Sequence, residues 1–139
     1  MDLERALAFA ADNQKGILIT LRCDGRPQSS NIVYVMDGPI ARVSITDDRA
    51  KTRNLRRDPR AVLHVNSADF WSYVALDGVV ELSPLTTTPG DEVGRELAEI
   101  YERASGKPHP NWDEYYEAMV NDKRLVLRFT ATSAAGMTR

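Results

Sequence analysis

Apolar and polar residues alternate along the chain with two different periods, which predicts short strands interrupted by helices. A helical spacing of apolar residues starts after Asp2, whose carboxylate can cap it, and closes near Gly16. Period-two alternation then predicts strands, one of which (71–82) is either a single strand or a pair bent at Asp77-Gly78. The predicted strands are 17–21, 28–36, 40–45, 61–66, 71–82 and 124–131.

Turn and helix signals between these runs suggest the topology. Asp24-Gly25 and Asp37-Gly38-Pro39 are tight hairpin turns. Helical patterns cover 91–104, 111–120 with Asn111 as its cap, and a short basic stretch within 49–60, whereas 131–139 is expected to be a loosely held tail. About six strands joined mostly by hairpins favour a mainly β fold, a small closed antiparallel barrel with inserted helices.

Length and composition narrow the class of protein. A chain of 139 residues fits one domain, 1–139, and no apolar run approaches the roughly 20 residues that span a bilayer. We expect a cytoplasmic protein, because the first residues do not resemble a secretory leader and the single cysteine, Cys23, cannot form an internal disulfide. A net charge of −2 does not indicate nucleic-acid binding.

Most common catalytic constellations are missing from the sequence. His64 and His109 lie far apart, and no ligand spacing suggests a metal site. Cys23 lacks a basic partner nearby in sequence, and no nucleophile-elbow, phosphate-loop or dinucleotide motif occurs. The sequence therefore disfavours the usual hydrolases and leaves the catalytic residues unknown.

A basic cluster is the most informative chemical feature. Six cations fall within residues 49–60, where an anionic ligand could dock, although a solvated basic face is the alternative. Nearby polar strand residues favour a polar-lined cleft, while Trp71 and Tyr73 could cover a ring system or pack in a core or dimer. No aromatics interleave with the cations, which argues against a nucleic-acid module. The cations are Arg49, Lys51, Arg53, Arg56, Arg57 and Arg60, and the polar residues are Gln28, Ser30, Asn31, Ser44 and Thr46.

Four segments occur in an order that resembles the actinobacterial F420-dependent oxidoreductases, specifically the small family-B enzymes of the pyridoxamine 5'-phosphate oxidase-like superfamily. They are DGRPQSSNIVY, RAKTRNLRRDPRA, WSYVALDGVVELSP and NWDEYYEAMVNDKRLVL. The likeness runs from Ile17 to Phe129. It implies a six-stranded antiparallel split β-barrel with flanking helices, assembled as a homodimer with two cofactor sites at the subunit interface.

The resemblance also implies a set of cofactor-binding residues. The phosphate of coenzyme F420 would be held at Lys51 and Asn54, with Arg49 and the arginines after it near the acidic tail of the coenzyme. The remaining positions would line the deazaflavin ring and its ribityl chain from one subunit, or reach in from the partner subunit. The full set is Pro27, Gln28, Ser30, Ser44, Ile45, Arg49, Lys51, Asn54, Arg56 and, from the partner subunit, the positions Trp71, Ser72 and Tyr73.

The function implied is an F420H2-dependent reductase that transfers a hydride to a conjugated small-molecule acceptor: an enone, a quinone or a tetrapyrrole. Such a transfer needs no protein nucleophile, which agrees with the missing triads. Two alternatives stay open. One is an FMN-dependent pyridoxamine-phosphate-oxidase-like oxidoreductase, and the other is an F420-binding protein without turnover.

Overall fold

A computed structural model describes residues 1–139 as seven strands and four helices. The strands hold more residues than the helices and form one continuous sheet, so the mainly β prediction is confirmed. No helix is both long and apolar enough to cross a membrane. The elements are α1 (Leu3–Ala11), β1 (Lys15–Leu21), β2 (Pro27–Val33), β3 (Val35–Asp37), β4 (Ile40–Thr46), α2 (Ala50–Arg57), β5 (Arg60–Asn66), β6 (Tyr73–Leu82), α3 (Glu92–Ser105), α4 (Trp112–Asn121) and β7 (Arg124–Met137).

All seven strands form one antiparallel sheet in the order β2-β1-β5-β6-β7-β4-β3, curled around its core as a split barrel. The expected count of six strands was wrong because the second predicted strand is interrupted at Tyr34. The Tyr34 N–H donates to Gln14 O, and its buried hydroxyl donates to Ala10 O at 2.7 Å. The chain therefore leaves one edge of the sheet at Val33 and joins the other edge at Val35.

The predicted loose tail is instead the second half of β7. This strand pairs with β6 as far as Met137, which lies opposite Tyr73, with a bulge at Asp77/Gly78. At the bulge a Cβ on Gly78 would overlap Thr130 O and the Phe129 ring, so only glycine fits. This strand was not predicted because residues 131–137 are only weakly hydrophobic. Backbone pairing with β6, rather than side-chain burial, holds the segment in the sheet.

Two hydrophobic clusters hold the elements together. The larger one fills the curl of the sheet under α1 and α2, and includes Leu18, Ile45 and Phe129. The smaller one packs α3 and α4 against the other side of the sheet through Leu97 and Val126. The two helices therefore stand outside the barrel, where they can form one wall of a cleft.

Ion pairs fix α3 to the sheet on the side away from that cleft. Arg42 of β4, only 11% exposed, contacts Asp37 at 2.7 Å and Glu99 of α3 at 2.8 Å. Arg128 of β7 contacts Glu96 of α3 through two guanidinium nitrogens. This bidentate arrangement between partly buried groups is stronger than a typical surface ion pair.

Side-chain hydrogen bonds cap the starts of α3 and α4. The Asp91 carboxylate accepts from Gly94 N at 2.8 Å and from Thr86 Oγ1 at 2.7 Å, which closes the first turn of α3. The Asn111 side chain accepts from Glu114 N, as predicted for α4.

Candidate functional site

A cavity of about 390 Å³ lies between the edge strand β2, strand β4 and helices α2, α3 and α4. Ser44, Lys51 and Arg124 lie close together and form its polar end, and a fourth polar residue, Asn31, lines it from β2. The wall on α3 and α4 is apolar and aromatic, which suits a ring system. It is formed by Leu97, Ile100, Tyr101, Ala104, Tyr115 and Met119.

Lys51 places an unneutralised cation at the polar end. Its side chain is half-buried and makes no ion pair with any carboxylate. Burial and the nearby charges of Arg49 and Arg124 lower the pKa of Lys51. A second positive charge held beside a half-buried ammonium is unfavourable unless an anion binds between them.

Arg124 is the second cation at this end, and sequence reasoning missed it. Its guanidinium lies 3.4 Å from Ser44 Oγ, its Nε is buried without a hydrogen-bond partner, and the nearest carboxylate oxygen, on Asp122, is 3.8 Å away. The only signal in the sequence is a cation opening the last strand. In the sheet, Arg124 lies opposite Thr46, which brings it to the end of β4 near the cavity. This pairing follows only from the order of the strands.

The sequence suggested that the basic run forms one row of cations facing a ligand, and the structure does not form such a row. Four of its six cations already have partners within the protein. Arg53 donates to Asp48 O at 2.7 Å, and Arg56 pairs with Asp47 at 2.6 Å. Only Arg49 and Lys51 make no such contact. The other two are Arg57, which donates to Leu21 O, and Arg60, which pairs with Asp58.

Arg49 lies outside the helix, at the N-cap position of α2. It lines a wholly polar cleft of about 550 Å³, in which Arg49, Lys123 and Arg124 stand beside three carboxylates, those of Asp47, Asp48 and Asp122. Arg124 also lines the first cavity, so the polar cleft continues from the Lys51 end. Arg49 therefore lies beyond the position where a single anionic group would sit at Lys51, in a cleft that carries both signs of charge.

Other predicted site residues lie on or near the same strands. Asn54 is buried and donates to Gln28 Oε1 and to Thr20 Oγ1, both at 3.0 Å, which ties α2 to β1 and β2. Ser30 keeps a buried hydroxyl with no hydrogen-bond partner. Pro27 opens β2 on its exposed side, and Ile45 points its side chain into the core, leaving only its backbone toward the cavity side.

The predicted aromatic segment lies away from this cavity within the same chain. Trp71, at 63% exposed, and Phe70, at 72% exposed, project from the loop between β5 and β6. Ser72 is buried, and its hydroxyl accepts from Arg139 N at 2.8 Å. Tyr73 stacks on His64 with ring centroids 5.2 Å apart. One chain therefore does not bring Trp71, Ser72 and Tyr73 to Lys51.

A curled antiparallel sheet split between β2 and β3, with helices at the split, defines the split-barrel class. Residues 3–137 match the sequence model of the pyridoxamine 5'-phosphate oxidase family. The chain belongs to that family.

Solved structures show the same fold at low identity. An F420 reductase is 24% identical, with a TM-score of 0.64 over 88% of this chain and 89% of that one. A conserved hypothetical protein from Mycobacterium tuberculosis is 25% identical, with a TM-score of 0.75 over 98% and 84% of the two chains. An FAD-binding protein from Mesorhizobium loti is 18% identical, with a TM-score of 0.69 over 98% and 92%. These similarities show the shared fold, and only the residues of this chain bear on which cofactor it prefers.

Proposed function

We propose that this protein is an F420H2-dependent reductase that acts on a conjugated small-molecule acceptor. The observation that carries the proposal is that Lys51 and Arg124 lie near each other at one end of a cavity whose wall on α3 and α4 is apolar. A phosphate at that end would neutralise both cations, and the flat ring attached to it would extend along the apolar wall.

The residues present fit such a coenzyme. Lys51 and Arg124 would bind the phosphate, with Ser44 Oγ as a further donor. The unpartnered buried hydroxyl of Ser30 is a group that a ligand on β2 could satisfy. When bound, the reduced coenzyme supplies a hydride, and the acceptor completes its reduction by taking a proton from water or a nearby donor. The protein binds and orients the coenzyme and the acceptor, and no side chain needs to become covalently attached.

The choice of F420 over FMN rests on Arg49. The phosphate of FMN ends its chain, whereas F420 continues from its phosphodiester into a glutamate tail. Arg49 lines the polar cleft that continues beyond Lys51 and makes no ion pair there, so its guanidinium could bind a carboxylate of such a tail. A specific observation supports FMN as the second candidate: four of the six clustered cations already have protein partners, which leaves a compact phosphate site.

The proposed active form is a homodimer. The outer face of β1, β5 and β6 leaves Ile19, Val62 and Val79 at the surface, around a depression of about 380 Å³. A soluble protein seldom leaves such a face uncovered, and a second copy would cover it. The exposed Trp71 of each subunit could then reach the cavity of the other, which one chain alone does not achieve.

A titration with both coenzymes tests the proposal. Purified protein is titrated with oxidised F420 and with FMN, and reduced coenzyme is then mixed with menadione, an enone and biliverdin. Tight F420 binding with acceptor-dependent oxidation of F420H2 supports the proposal. Preference for FMN supports the second candidate. Tight F420 binding without turnover of any acceptor would make the protein a coenzyme carrier and refute the reductase.

A further inference from the structure

A second cavity, of about 420 Å³, lies on the outer face of the sheet, next to the Ile19 and Val62 surface that the second copy would cover. Asn31, Ile32 and Val33 line both this cavity and the one that carries Lys51, so the two adjoin across the edge strand β2. A coenzyme anchored at Lys51 therefore lies next to this outer cavity. The neighbouring space is the natural position for the molecule that receives the hydride.

The polar groups of the outer cavity are amides, an imidazole and one ammonium, with no carboxylate among them. Its polar side chains are Lys15, Asn31, His64 and Asn66. Sheet register brings them together, because Ile17 lies opposite Asn31 on one side and His64 on the other. Lys15 makes no ion pair, and the Asn31 side chain makes no hydrogen bond within the protein.

His64 orients one of these amides. Its Nε2 lies 3.2 Å from Asn66 Oδ1, and its ring stacks on Tyr73 with an interplanar angle of 14°. With Asn66 Oδ1 accepting from the imidazole N–H, the amide NH2 of Asn66 is left to donate to a ligand. His64 is therefore a positioning residue, and the stacked pair extends a flat surface beside the donors.

We infer that the outer cavity is the acceptor subsite, and that Lys15, Asn31 and Asn66 select conjugated acceptors that carry a carboxylate. The inference rests on the proposed function, since it takes the coenzyme to bind at Lys51. An ammonium and two amide donors together match the two oxygens of a carboxylate. Ile17, Val33 and the His64 ring would contact the apolar part of the acceptor.

The test compares a 1,4-naphthoquinone bearing a propionate side chain with its methyl ester, which differ only in that charge. Dissociation constants are measured by calorimetry on protein saturated with oxidised F420, so that no turnover occurs. We expect the acid to bind about tenfold more tightly than the ester, the effect of a partly exposed charge-assisted hydrogen bond. The same ratio is expected in the KM values with F420H2.

Matched variants assign the preference to named groups. Lys15→Met should abolish the acid-to-ester ratio while ester binding and F420 binding stay unchanged, and Lys15→Arg should keep most of the ratio. His64→Phe keeps a ring on Tyr73 but releases Asn66, and should lower the ratio without weakening the ester. Lys107→Met removes an equivalent charge from the α3–α4 connection and should change nothing.

Equal affinity for acid and ester, failure of both to bind, or a ratio unaffected by Lys15→Met would overturn the inference. Failure of F420 to bind would instead refute the proposed function. In that case the acid and ester are compared on the coenzyme-free protein, where loss of the acid preference would end the inference too.

Discussion

Replacing Lys51 with methionine removes the ammonium from the cavity while keeping an unbranched side chain of nearly the same length. The group is half-buried and has no protein carboxylate, so its charge is available for a ligand. A charge-assisted hydrogen bond to phosphate contributes about 1.5–3 kcal/mol. We therefore expect the Kd for F420 to rise roughly 10- to 150-fold, measured by fluorescence titration at low ionic strength.

The salt dependence of the same titration separates charge from shape. Raising the ionic strength from about 0.05 to 0.5 M should weaken binding to the wild-type protein more than binding to Lys51→Met, because the variant has lost a charge that salt screens. Lys107→Met is the control with an unchanged Kd. If Lys51→Met and Arg124→Met both bind F420 as tightly as wild type, the anion site lies elsewhere and the reasoning is refuted.

Three further predictions concern stability and assembly. Burial opposes ionisation of Asp91, but hydrogen bonds from Thr86 Oγ1 and three backbone N–H groups outweigh it and lower its pKa to about 2. The stabilisation is therefore present above pH 4 and lost as pH falls toward 2. Acid titration of the melting temperature should show this dependence, and Asp91→Ala, which costs about 1–2 kcal/mol at neutral pH, should flatten it. Tyr34→Phe removes the buried hydroxyl bond to Ala10 O, which keeps only its bond from Asn13 N, and should destabilise by about 1 kcal/mol in urea unfolding; an unchanged midpoint would contradict that bond. Val79→Lys should convert a dimer to a monomer in light scattering, and a wild-type monomer would refute the dimer.

The sequence predicted the sheet and helices well wherever hydrophobic period and turn chemistry agreed. Asn111 was correctly identified as a cap, and the basic stretch formed the expected short helix. The break at Tyr34 was missed because the strand pattern continues through it. A tertiary hydrogen bond from Tyr34 to α1, rather than a local turn, separates the two strands.

The candidate site was only partly predictable for a related reason. Lys51 and Ser44 lie close in sequence, and they line one cavity as their spacing suggested. Arg124 is about eighty residues from Ser44, so only strand pairing reveals their contact. A count of charges also cannot show that Arg53 is hydrogen-bonded to a backbone carbonyl and that Arg56 is paired with a carboxylate.

The ion pairs that tie α3 to the sheet have a consequence for how the cleft can evolve. One side of that helix lines the cavity through Leu97, Ile100 and Tyr101. Its other side carries Glu96 and Glu99, which form ion pairs with arginines of the sheet. A substitution that shortens or weakens one of those ion pairs would tilt the helix and change the width of the cavity available to a bound ring. Ligand preference could thus drift between related proteins while every residue that touches the ligand stays the same.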